Sequence, residues 1–405
     1  SKVFEGLMRF AADGSVINGL AEDWDISDDG KTYTFKLHKG VKFHDGTDLD
    51  ANDVVFSLDR ARAADSVNAQ KVLFANIASV KAVDPLTVEV TLNAPQGNFL
   101  FNMAWGDAVI VAPESIDDIK VKPIGTGAFK FDDWKQGDSI TLVKNPSYWG
   151  TPVKLTEVTF KFISEPTAAF GAMMAEDVDA FYSYPAPENL AQFEADPRFT
   201  VLAGNTEGET ILAMNNKRAP FDNKLVREAV SHAIDRQAVI DGAMFGYGTP
   251  IGSHFAPHNP AYIDLTGNSE YDPEQAKALL VEAGMADGFT TTLKLPPPSY
   301  ARRGGEIIAA QLRAVGIETE ISNIEWAQWL EQAFRGKDFG LTIVSHTEPM
   351  DIGIYARPDY YFQYDNPDLQ KLMADLDVEA DGGKRIEMLQ QAQTIISEDY
   401  VNAYL

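Results

Sequence analysis

The chain has 405 residues, a formal net charge of −26 and no cysteine. Its length predicts two or three domains rather than one core, and its charge excludes nucleic acid and anionic lipid as favoured partners, because an acidic surface repels phosphate. The lack of cysteine removes disulfides, thiolate nucleophiles and zinc–thiolate sites together.

The first well-marked elements lie between Asn18 and Arg60. The residues from Lys31 to Leu37 alternate polar with apolar side chains, which predicts a half-buried strand. The tetrapeptide FHDG at 43–46 predicts a turn in which His44 is a structural hydrogen-bonding residue. Thr47 is expected to cap the helix that follows, with two aspartates in its first turn.

The rest of the chain alternates strands with helices. A hairpin is predicted over Val80 to Leu92, with Asp84-Pro85 as its turn. Asp222 is expected to cap one helix, and Gly304 is expected to begin another. The further predicted elements are strands at 140–143, 158–162, 317–321 and 341–344, a helix at 168–174 and a helix that starts at Pro273. This alternation indicates an α/β architecture.

Motifs for metal, phosphate and covalent chemistry are absent or incomplete. The run from Asp25 to Gly30 begins like a calcium loop, but Lys36 stands at the twelfth position, where a bidentate Glu is required. His254 and His258 have the spacing of zinc ligands, but Pro257 breaks the helix that would align them. Both are therefore expected to be ordinary surface or loop histidines. Since dinucleotide, phosphate-loop and Gly-x-Ser-x-Gly motifs are also missing, the sequence predicts no metal, no cofactor and no enzymatic activity.

The segment from Asp338 to Asp359 is the main candidate for solute recognition. An apolar strand is followed at once by His346, Glu348 and Asp351. Ligands of open α/β folds tend to bind beyond the carboxyl ends of strands, so polar groups at this place suit recognition. The alternative is a surface turn that carries a chance pair of acids.

Several stretches of this sequence together resemble the extracytoplasmic solute-binding proteins of peptide and nickel ABC importers, family 5. They are residues 18–60, PIGTGAFK at 123–130, NPSYWG at 145–150 and MNNKRAPFDNKLVREAVSHAID at 214–235. With FAP at 255–257 and EW at 325–326, which also have equivalents in the family, the resemblance extends over nearly the whole chain. The resemblance implies an α/β fold of the two-lobe periplasmic-binding-protein type, type II, with an extra small domain. It also implies paired hinge strands, which are expected at Ile211–Asn216 and near Val401.

The resemblance implies where the domains lie. Residues 1–16 and 121–213 are expected to form the first lobe, residues 17–120 the extra small domain, and residues 214–405 the second lobe. The family has a strand and loop before the start of this chain and a last segment after its end. Both ends are therefore expected to be missing from this sequence, and the lack of a signal peptide is uninformative about location.

The resemblance also implies a function. The expected protein is a periplasmic, monomeric receptor that captures a peptide or peptide-like solute in a cleft between the lobes. It delivers this solute to an inner-membrane ABC permease with its ATPase subunits, without a cofactor or a metal. The open alternative is the same fold with a non-peptide solute, such as an opine, an oligosaccharide or another conjugate. More distant alternatives are a hydrolase and a solute-sensing ectodomain.

Charged residues of the predicted cleft follow from the same resemblance. Peptide-binding relatives carry an Asp soon after the corresponding strand, which pairs with the α-ammonium group of the ligand. Glu348 falls at this position, with Asp351 close behind. Dipeptide-binding relatives also carry an Arg near the strand end that corresponds to residues 294–300, and this chain has none there. Arg302 and Arg357 are the candidate partners for a ligand carboxylate.

Further candidates for the cleft come from aromatic and amide side chains. His346 stands close to the place where the family usually has a Trp. Trp326 falls where oligopeptide-binding relatives have a Trp that lines the pocket, and Phe255 lies in a proline-flanked loop that is expected to face the cleft. Trp105 is a candidate from the facing lobe, with core packing as its alternative, and Asn216 is a candidate amide donor, with a scaffold role as its alternative.

Overall fold

The computed structural model describes residues 2–11, 14–163, 165–348, 350–379 and 381–405. The chain divides into two compact units, which we call the N-terminal unit (residues 1–181 and 377–380) and the C-terminal unit (residues 182–376 and 381–405). The predicted boundaries of two lobes and a small domain stay a prediction. Within the described part of the chain, no helix has both the length and the apolar character that crossing a bilayer requires.

The N-terminal unit is rich in strands. Its strands are β1 (Met8–Phe10), β2 (Val16–Asn18), β3 (Ala21–Ile26), β4 (Thr32–Leu37), β5 (Ile77–Asp84), β6 (Thr87–Leu92), β7 (Phe129–Lys135), β8 (Ser139–Lys144) and β9 (Glu157–Lys161). Its helices are α1 (Ala51–Arg62), α2 (Phe99–Ala104) and α3 (Pro166–Met174), with short 3₁₀ helices at Lys71–Phe74 and Pro113–Ser115. In its described residues these strands form antiparallel sheets in the orders β1-β2, β3-β4-β6-β5 and β7-β8-β9.

The strand β4 confirms the predicted half-buried pattern. Tyr33, Phe35 and Leu37 point into the core, and the residues between them are more exposed. The same core contains Leu58 of α1 and Phe99 of α2. The predicted hairpin is also confirmed, since β5 and β6 pair in antiparallel register across the turn.

The start of α1 differs from the prediction. The N-cap is Asp50, whose side chain accepts a hydrogen bond from the Asn52 backbone N–H, while Asp53 accepts one from the Asp50 N–H. This capping box satisfies donors at the helix start. The expected cap, Thr47, instead donates its hydroxyl to Asp45 at 2.7 Å within the preceding turn. Thr47 was the wrong cap because that local bond already uses its side chain.

His44 links its turn to the segment that contains Gly125 and Gly127. Its Nδ1 accepts a hydrogen bond from the Gly125 N–H at 3.3 Å, and its Nε2 lies 2.9 Å from the Gly127 carbonyl oxygen. Both glycines lie against backbone, because an added Cβ would lie 2.1 Å from the Val3 oxygen at Gly125 and 2.4 Å from the Lys2 oxygen at Gly127. The structural role predicted for His44 is therefore confirmed.

The C-terminal unit alternates helices with strands. Its strands are β10 (Glu209–Met214), β11 (Phe289–Leu295), β12 (Ile317–Asn323), β13 (Leu341–His346) and β14 (Asn402–Tyr404). Its helices are α4 (Leu190–Glu194), α5 (Lys224–His232), α6 (Arg236–Met244), α7 (Pro273–Glu282), α8 (Ser299–Ala314), α9 (Trp326–Trp329), α10 (Pro367–Val378) and α11 (Gly382–Glu398). A π-helical stretch, Leu330–Arg335, follows α9, and 3₁₀ helices lie at Pro187–Asn189, Thr266–Ser269 and Asp351–Ala356.

One mixed sheet organises the C-terminal unit, with the strand order β12-β11-β13-β10-β14. The strand β11 runs parallel to β12 and β13, whereas β10 runs antiparallel to β13 and β14. Leu212 and Met214 of β10 pack into the core that also contains residues of α5, α7 and α8. Ile211 and Ala213 pack into a second core, which contains residues of α10 and α11. The sheet is therefore covered on both faces, which explains the continuous apolar run of β10 and confirms the predicted α/β class.

Two helix starts in this unit differ from the prediction. The N-cap of α5 is Asn223, which accepts from the Leu225 N–H at 3.0 Å, and Asp222 precedes it. The helix α8 begins at Ser299 rather than at Gly304. An added Cβ at Gly305 would lie 2.4 Å from Leu295 Cδ1 of β11. The glycine pair therefore lies inside α8, where the helix approaches the sheet closely, and does not mark its start.

Candidate functional site

The candidate site begins where two neighbouring strands of the C-terminal sheet meet. Glu209 is the first residue of β10, His346 is the last residue of β13, and the two stand opposite each other in the antiparallel register. Both side chains are buried. The site therefore lies at the carboxyl end of β13, inside the predicted recognition segment.

Glu209 is a carboxylic acid inside the protein, with 2% of its surface exposed. Burial disfavours its charged form, and the negative charge of Asp351 acts in the same direction, so the pKa of Glu209 is raised well above its ordinary value. Its Oε1 lies 3.2 Å from His254 Nδ1. Neither of these two atoms has a hydrogen bond of good geometry in the described structure.

His254 lies between the two carboxyl groups of the site. It is 2% exposed, and its second ring nitrogen, Nε2, lies 2.8 Å from Asp351 Oδ1. The loop that carries His254 precedes α7 and is held by packing, since the ring makes edge contacts with Phe255 and Tyr355. His254 lies in a loop, as expected, but its ring is enclosed by the core rather than exposed. His258 does lie at the surface, 2.6 Å from Glu207.

Asp351 joins both histidines. Its side chain is 14% exposed, and its Oδ2 lies 3.4 Å from His346 Nδ1. Burial by itself would raise the pKa of Asp351, but the interactions with His254 and His346 outweigh burial and hold the pKa below its ordinary value. Asp351 is therefore the ionised acid of the cluster. We call Glu209, His254, His346 and Asp351 the acid–histidine cluster.

Aromatic residues surround this cluster. His346 Nε2 lies 3.1 Å from the Tyr361 hydroxyl oxygen, and the two rings are nearly parallel at a centroid distance of 6.0 Å. Tyr355 lies on the other side against His254 and is bonded through its hydroxyl group to Asn402 and Tyr404 of β14. The tyrosine rings help to bury the cluster, and electrostatic interactions are stronger in such a buried environment than in water.

The arrangement suits the binding of positive charge. Ligand atoms of Glu209, His346 and Asp351 all lie within 4.8 Å of one another. Carboxylate oxygens and imidazole nitrogens bind protons, ammonium groups and divalent cations. The cluster can therefore hold a cation, or it can fix the segment after β13 by sharing protons between its members.

The two predicted acids of the recognition segment have different surroundings. Asp351 belongs to the cluster, whereas Glu348 is exposed and accepts a hydrogen bond from the Thr347 N–H at 3.2 Å. The negative charge of Glu348 also contributes to the raised pKa of Glu209. Glu348 thus lies beside the cluster with its carboxylate at the surface.

The candidate arginines do not join the cluster. Arg302 lies on α8, where its Nη2 donates to the Ile324 carbonyl oxygen at 3.4 Å and to Glu325 Oε1 at 3.3 Å. Arg357 is exposed and follows the 3₁₀ helix that begins at Asp351. Their roles toward a ligand stay predictions.

The candidate aromatic residues are divided between surface and core. Trp326 is 41% exposed at the start of α9 and makes an edge contact with the buried Trp329. Phe255 is buried in the core of the C-terminal unit. Trp105 belongs to the N-terminal unit, where it is half-buried against Phe10 and Phe101.

Asn216 uses its amide within the scaffold. Its Nδ2 donates to the carbonyl oxygens of Met214, Phe362 and Val401, at 2.8, 3.2 and 3.0 Å. This amide therefore links the end of β10 to the residue that precedes β14. The arrangement matches the scaffold role that the sequence left open for Asn216.

Sequence reasoning missed Glu209 and undervalued His254. A signal for Glu209 was available, because a single acid begins an otherwise apolar strand, ETILAM, that is buried on both faces. His254 carried no comparable signal. Its contacts with β10 and with Asp351 arise from tertiary packing of a loop.

A protein-family model and curated relatives each match most of the chain. The model of "Bacterial extracellular solute-binding proteins, family 5 Middle" matches residues 15–366. The glutathione-binding protein GsiB of Salmonella paratyphi A is 35% identical over 333 residues, which cover 80% of this chain and 64% of that protein. The chain thus spans less than two thirds of the length of the curated relatives that it matches.

Solved structures share the fold along the chain. The periplasmic binding protein DppA from Helicobacter pylori, in complex with the peptide STSA, matches with a TM-score of 0.87 at 26% identity, over 100% of this chain and 86% of that one. AgaA from A. tumefaciens R10, in complex with agropinic acid, matches with a TM-score of 0.83 at 26% identity, over 100% and 85%.

Proposed function

Because the chain belongs to the bacterial extracellular solute-binding proteins, family 5, we propose that it is the substrate-binding receptor of an ABC importer and that its solute is a peptide or a peptide-like molecule. The observation that carries this proposal is the likeness of the whole chain to DppA, which was solved with a peptide. The proposed receptor binds without chemical turnover and hands the solute to an inner-membrane permease with its ATPase subunits. A periplasmic location and a monomeric state belong to the same proposal.

The segment after β13 supplies the proposed contact with the solute. Glu348 is exposed beside the acid–histidine cluster, so its carboxylate is available to an ammonium group. A hydrogen bond between a carboxylate and an ammonium group is stronger than one between two neutral groups. We assign Glu348 the direct contact and Asp351 and His346 the task of holding the segment in place.

Surface groups near α8 and α9 supply the proposed remainder of the site. Trp326 offers an exposed aromatic face of the kind that lines small-molecule sites. Arg302 and Arg357 are the proposed partners of a ligand carboxylate. Phe255, Trp105 and Asn216 contact their own cores or backbone, so we give them supporting roles only.

A second candidate function is the capture of a non-peptide solute by the same receptor. One observation favours it, because AgaA, one of the similar structures, was solved with agropinic acid. An opine retains the amine and carboxylate chemistry of an amino acid, so it would use the same charged groups.

A binding screen tests the proposal. The protein is unfolded and refolded to remove any retained solute, and its thermal unfolding is then measured with short peptides, glutathione, opines and oligosaccharides. Ligand that binds only the native state raises the melting temperature with its concentration. The proposal predicts such a rise with at least one peptide or peptide-like solute. A refolded protein that no member of the panel stabilises would contradict it.

A further inference from the structure

The acid–histidine cluster contains side chains of the types that bind metal ions, and the proposed function does not require a metal. Its potential ligand atoms come from three separate segments: the start of β10, the end of β13 and the 3₁₀ helix at 351–356. Each of these segments packs against the core of the C-terminal unit. A site on strands and packed turns is held more precisely than one on free loops.

The spacing of the ligand atoms fits one ion. Atoms of Glu209, His346 and Asp351 lie within 4.8 Å of one another, and His346 Nδ1 lies 3.4 Å from Asp351 Oδ2. Ligands at about 2.0–2.2 Å from a tetrahedral zinc ion are about 3.3–3.6 Å apart. The His346–Asp351 pair already has this separation, and a ligand atom of Glu209 lies within 4.8 Å of both.

A buried carboxylate oxygen inside the cluster provides an independent observation. Glu209 Oε1 lacks a hydrogen bond of good geometry in the described structure, although His254 Nδ1 lies 3.2 Å away. Buried carboxylate oxygens without such a partner are costly. The side chain of Glu209 is 2% exposed, so water does not offset this cost. A cation bound by the Glu209 carboxylate would offset this cost.

The neighbours of the ligands resemble the outer shell of a metal site. Ligating histidines usually hydrogen-bond through their second ring nitrogen, which fixes the ring. His346 Nε2 lies 3.1 Å from the Tyr361 hydroxyl, which leaves Nδ1 free to face the carboxylates. His254 lies against both acids and orients them. The rings of Tyr355 and Tyr361 lie against the two histidines.

We propose that Glu209, His346 and Asp351 bind one divalent transition-metal ion of the Zn²⁺ class inside the C-terminal unit, with His254 as a positioning residue. One imidazole and two carboxylates suit this class better than Mg²⁺ or Ca²⁺, which prefer oxygen ligands alone. The ion is a resident of the fold and joins β10 to the segment after β13. The proposal of a metal site does not depend on which solute the receptor carries.

The test uses the whole chain after treatment with a chelator. Isothermal titration calorimetry with ZnCl₂ is expected to show one high-affinity site per molecule. Co²⁺ is expected to give the visible absorption of a four- or five-coordinate ion with nitrogen and oxygen ligands. Each of the variants Glu209→Gln, His346→Gln and Asp351→Asn is expected to lower the affinity by at least about tenfold.

A matched control separates this site from surface binding. Glu207 and His258 form a second acid–histidine pair, 2.6 Å apart, at the surface of the same unit. The double variant Glu207→Gln/His258→Gln is expected to keep both the stoichiometry and the Co²⁺ spectrum. Circular dichroism establishes which variants are folded, and the control variant gives a result even if the ligand variants unfold. The absence of a stoichiometric site in the native chain, or its loss in the control variant, would overturn the proposal.

Discussion

Glu209 and His346 stand opposite each other at the adjoining ends of β10 and β13, and both are buried. This pairing places an acid and an imidazole at the point where the chain leaves the sheet toward Glu348 and Asp351. A one-residue change of register would turn every side chain of the strand to the other face. The register of two apolar strands therefore determines that the cluster forms at all.

Replacing His254 with Ala should destabilise the fold strongly. The change leaves Glu209 and Asp351 buried without the group that lies between them, and removing one partner of a buried charged group costs about 3–5 kcal/mol. The free energy of unfolding in urea, measured with a chelator present, checks this value. His258→Ala removes an exposed histidine paired with Glu207 and should cost less than about 1 kcal/mol. Equal effects of the two changes would refute the structural importance of His254.

Two adjacent glycines of α8 should respond oppositely to Ala. At Gly305 the new Cβ would lie 2.4 Å from Leu295 Cδ1, and Leu295 is fully buried. At Gly304 the nearest atom is Val239 Cγ1 at 3.6 Å, an ordinary contact. Gly305→Ala should therefore cost about 1–3 kcal/mol, whereas Gly304→Ala should gain up to about 1 kcal/mol from helix propensity. Thermal melts of the two variants decide, and a stabilising Gly305→Ala would show that the helix does not approach β11 this closely.

Asp53 should make the N-terminal unit less stable as the pH rises. Burial raises the pKa of its carboxyl from 3.8 to about 6 in the folded protein, although its hydrogen bond from Asp50 acts in the opposite direction. The folded state therefore holds a proton that the unfolded state releases, so stability is greatest below the unfolded pKa and is lost as the pH rises through about 6.

Asp53→Asn removes this titration and retains an oxygen that can accept the bond from Asp50. The free energy of unfolding of the variant should increase relative to that of the native chain as the pH rises from about 4 to about 7. Denaturant melts at several pH values give the comparison. A difference that stays constant over this interval would mean that the pKa of Asp53 is not raised.

Changing Glu348 to Gln should weaken a solute that carries an ammonium group. Hydrogen bonds to charged groups are worth about 1.5–3 kcal/mol, which corresponds to roughly tenfold to hundredfold in affinity. Calorimetry with a peptide ligand measures the change, and the same peptide with an acetylated N-terminus should bind both proteins alike. Asp359→Asn, at another exposed acid of the segment, is the protein control. Unchanged affinity in the Glu348 variant would remove this contact from the account.

Local sequence patterns predicted the elements well but not their boundaries. The alternation in β4 and the turn of the β5–β6 hairpin follow from side-chain periodicity and turn chemistry, which act over a few residues. The cap of α1 was misassigned because Thr47 and Asp50 are both good cap residues, and only the structure shows that Thr47 is engaged by Asp45. The start of α8 was misplaced because glycine often stands at the boundary of an element. Here the two glycines lie inside the helix and allow it to pack closely against β11.

Half of the cluster was visible in the sequence. His346 and Asp351 follow an apolar strand, which is a local signal. Glu209 and His254 join them only through strand register and loop packing, which depend on contacts between residues far apart in the chain. Such contacts cannot be read from one sequence. For the same reason Glu348 and Asp351 looked alike in the sequence, although Glu348 is exposed and only 14% of the Asp351 side chain is exposed.

Native mass spectrometry tests the central claim most directly. The refolded protein is incubated with an equimolar mixture of short peptides, glutathione, opines and oligosaccharides, and the retained species is identified by its mass. The account predicts a complex of one protein with one peptide or peptide-like molecule. A protein that retains nothing from the mixture, or that retains an oligosaccharide alone, would contradict it.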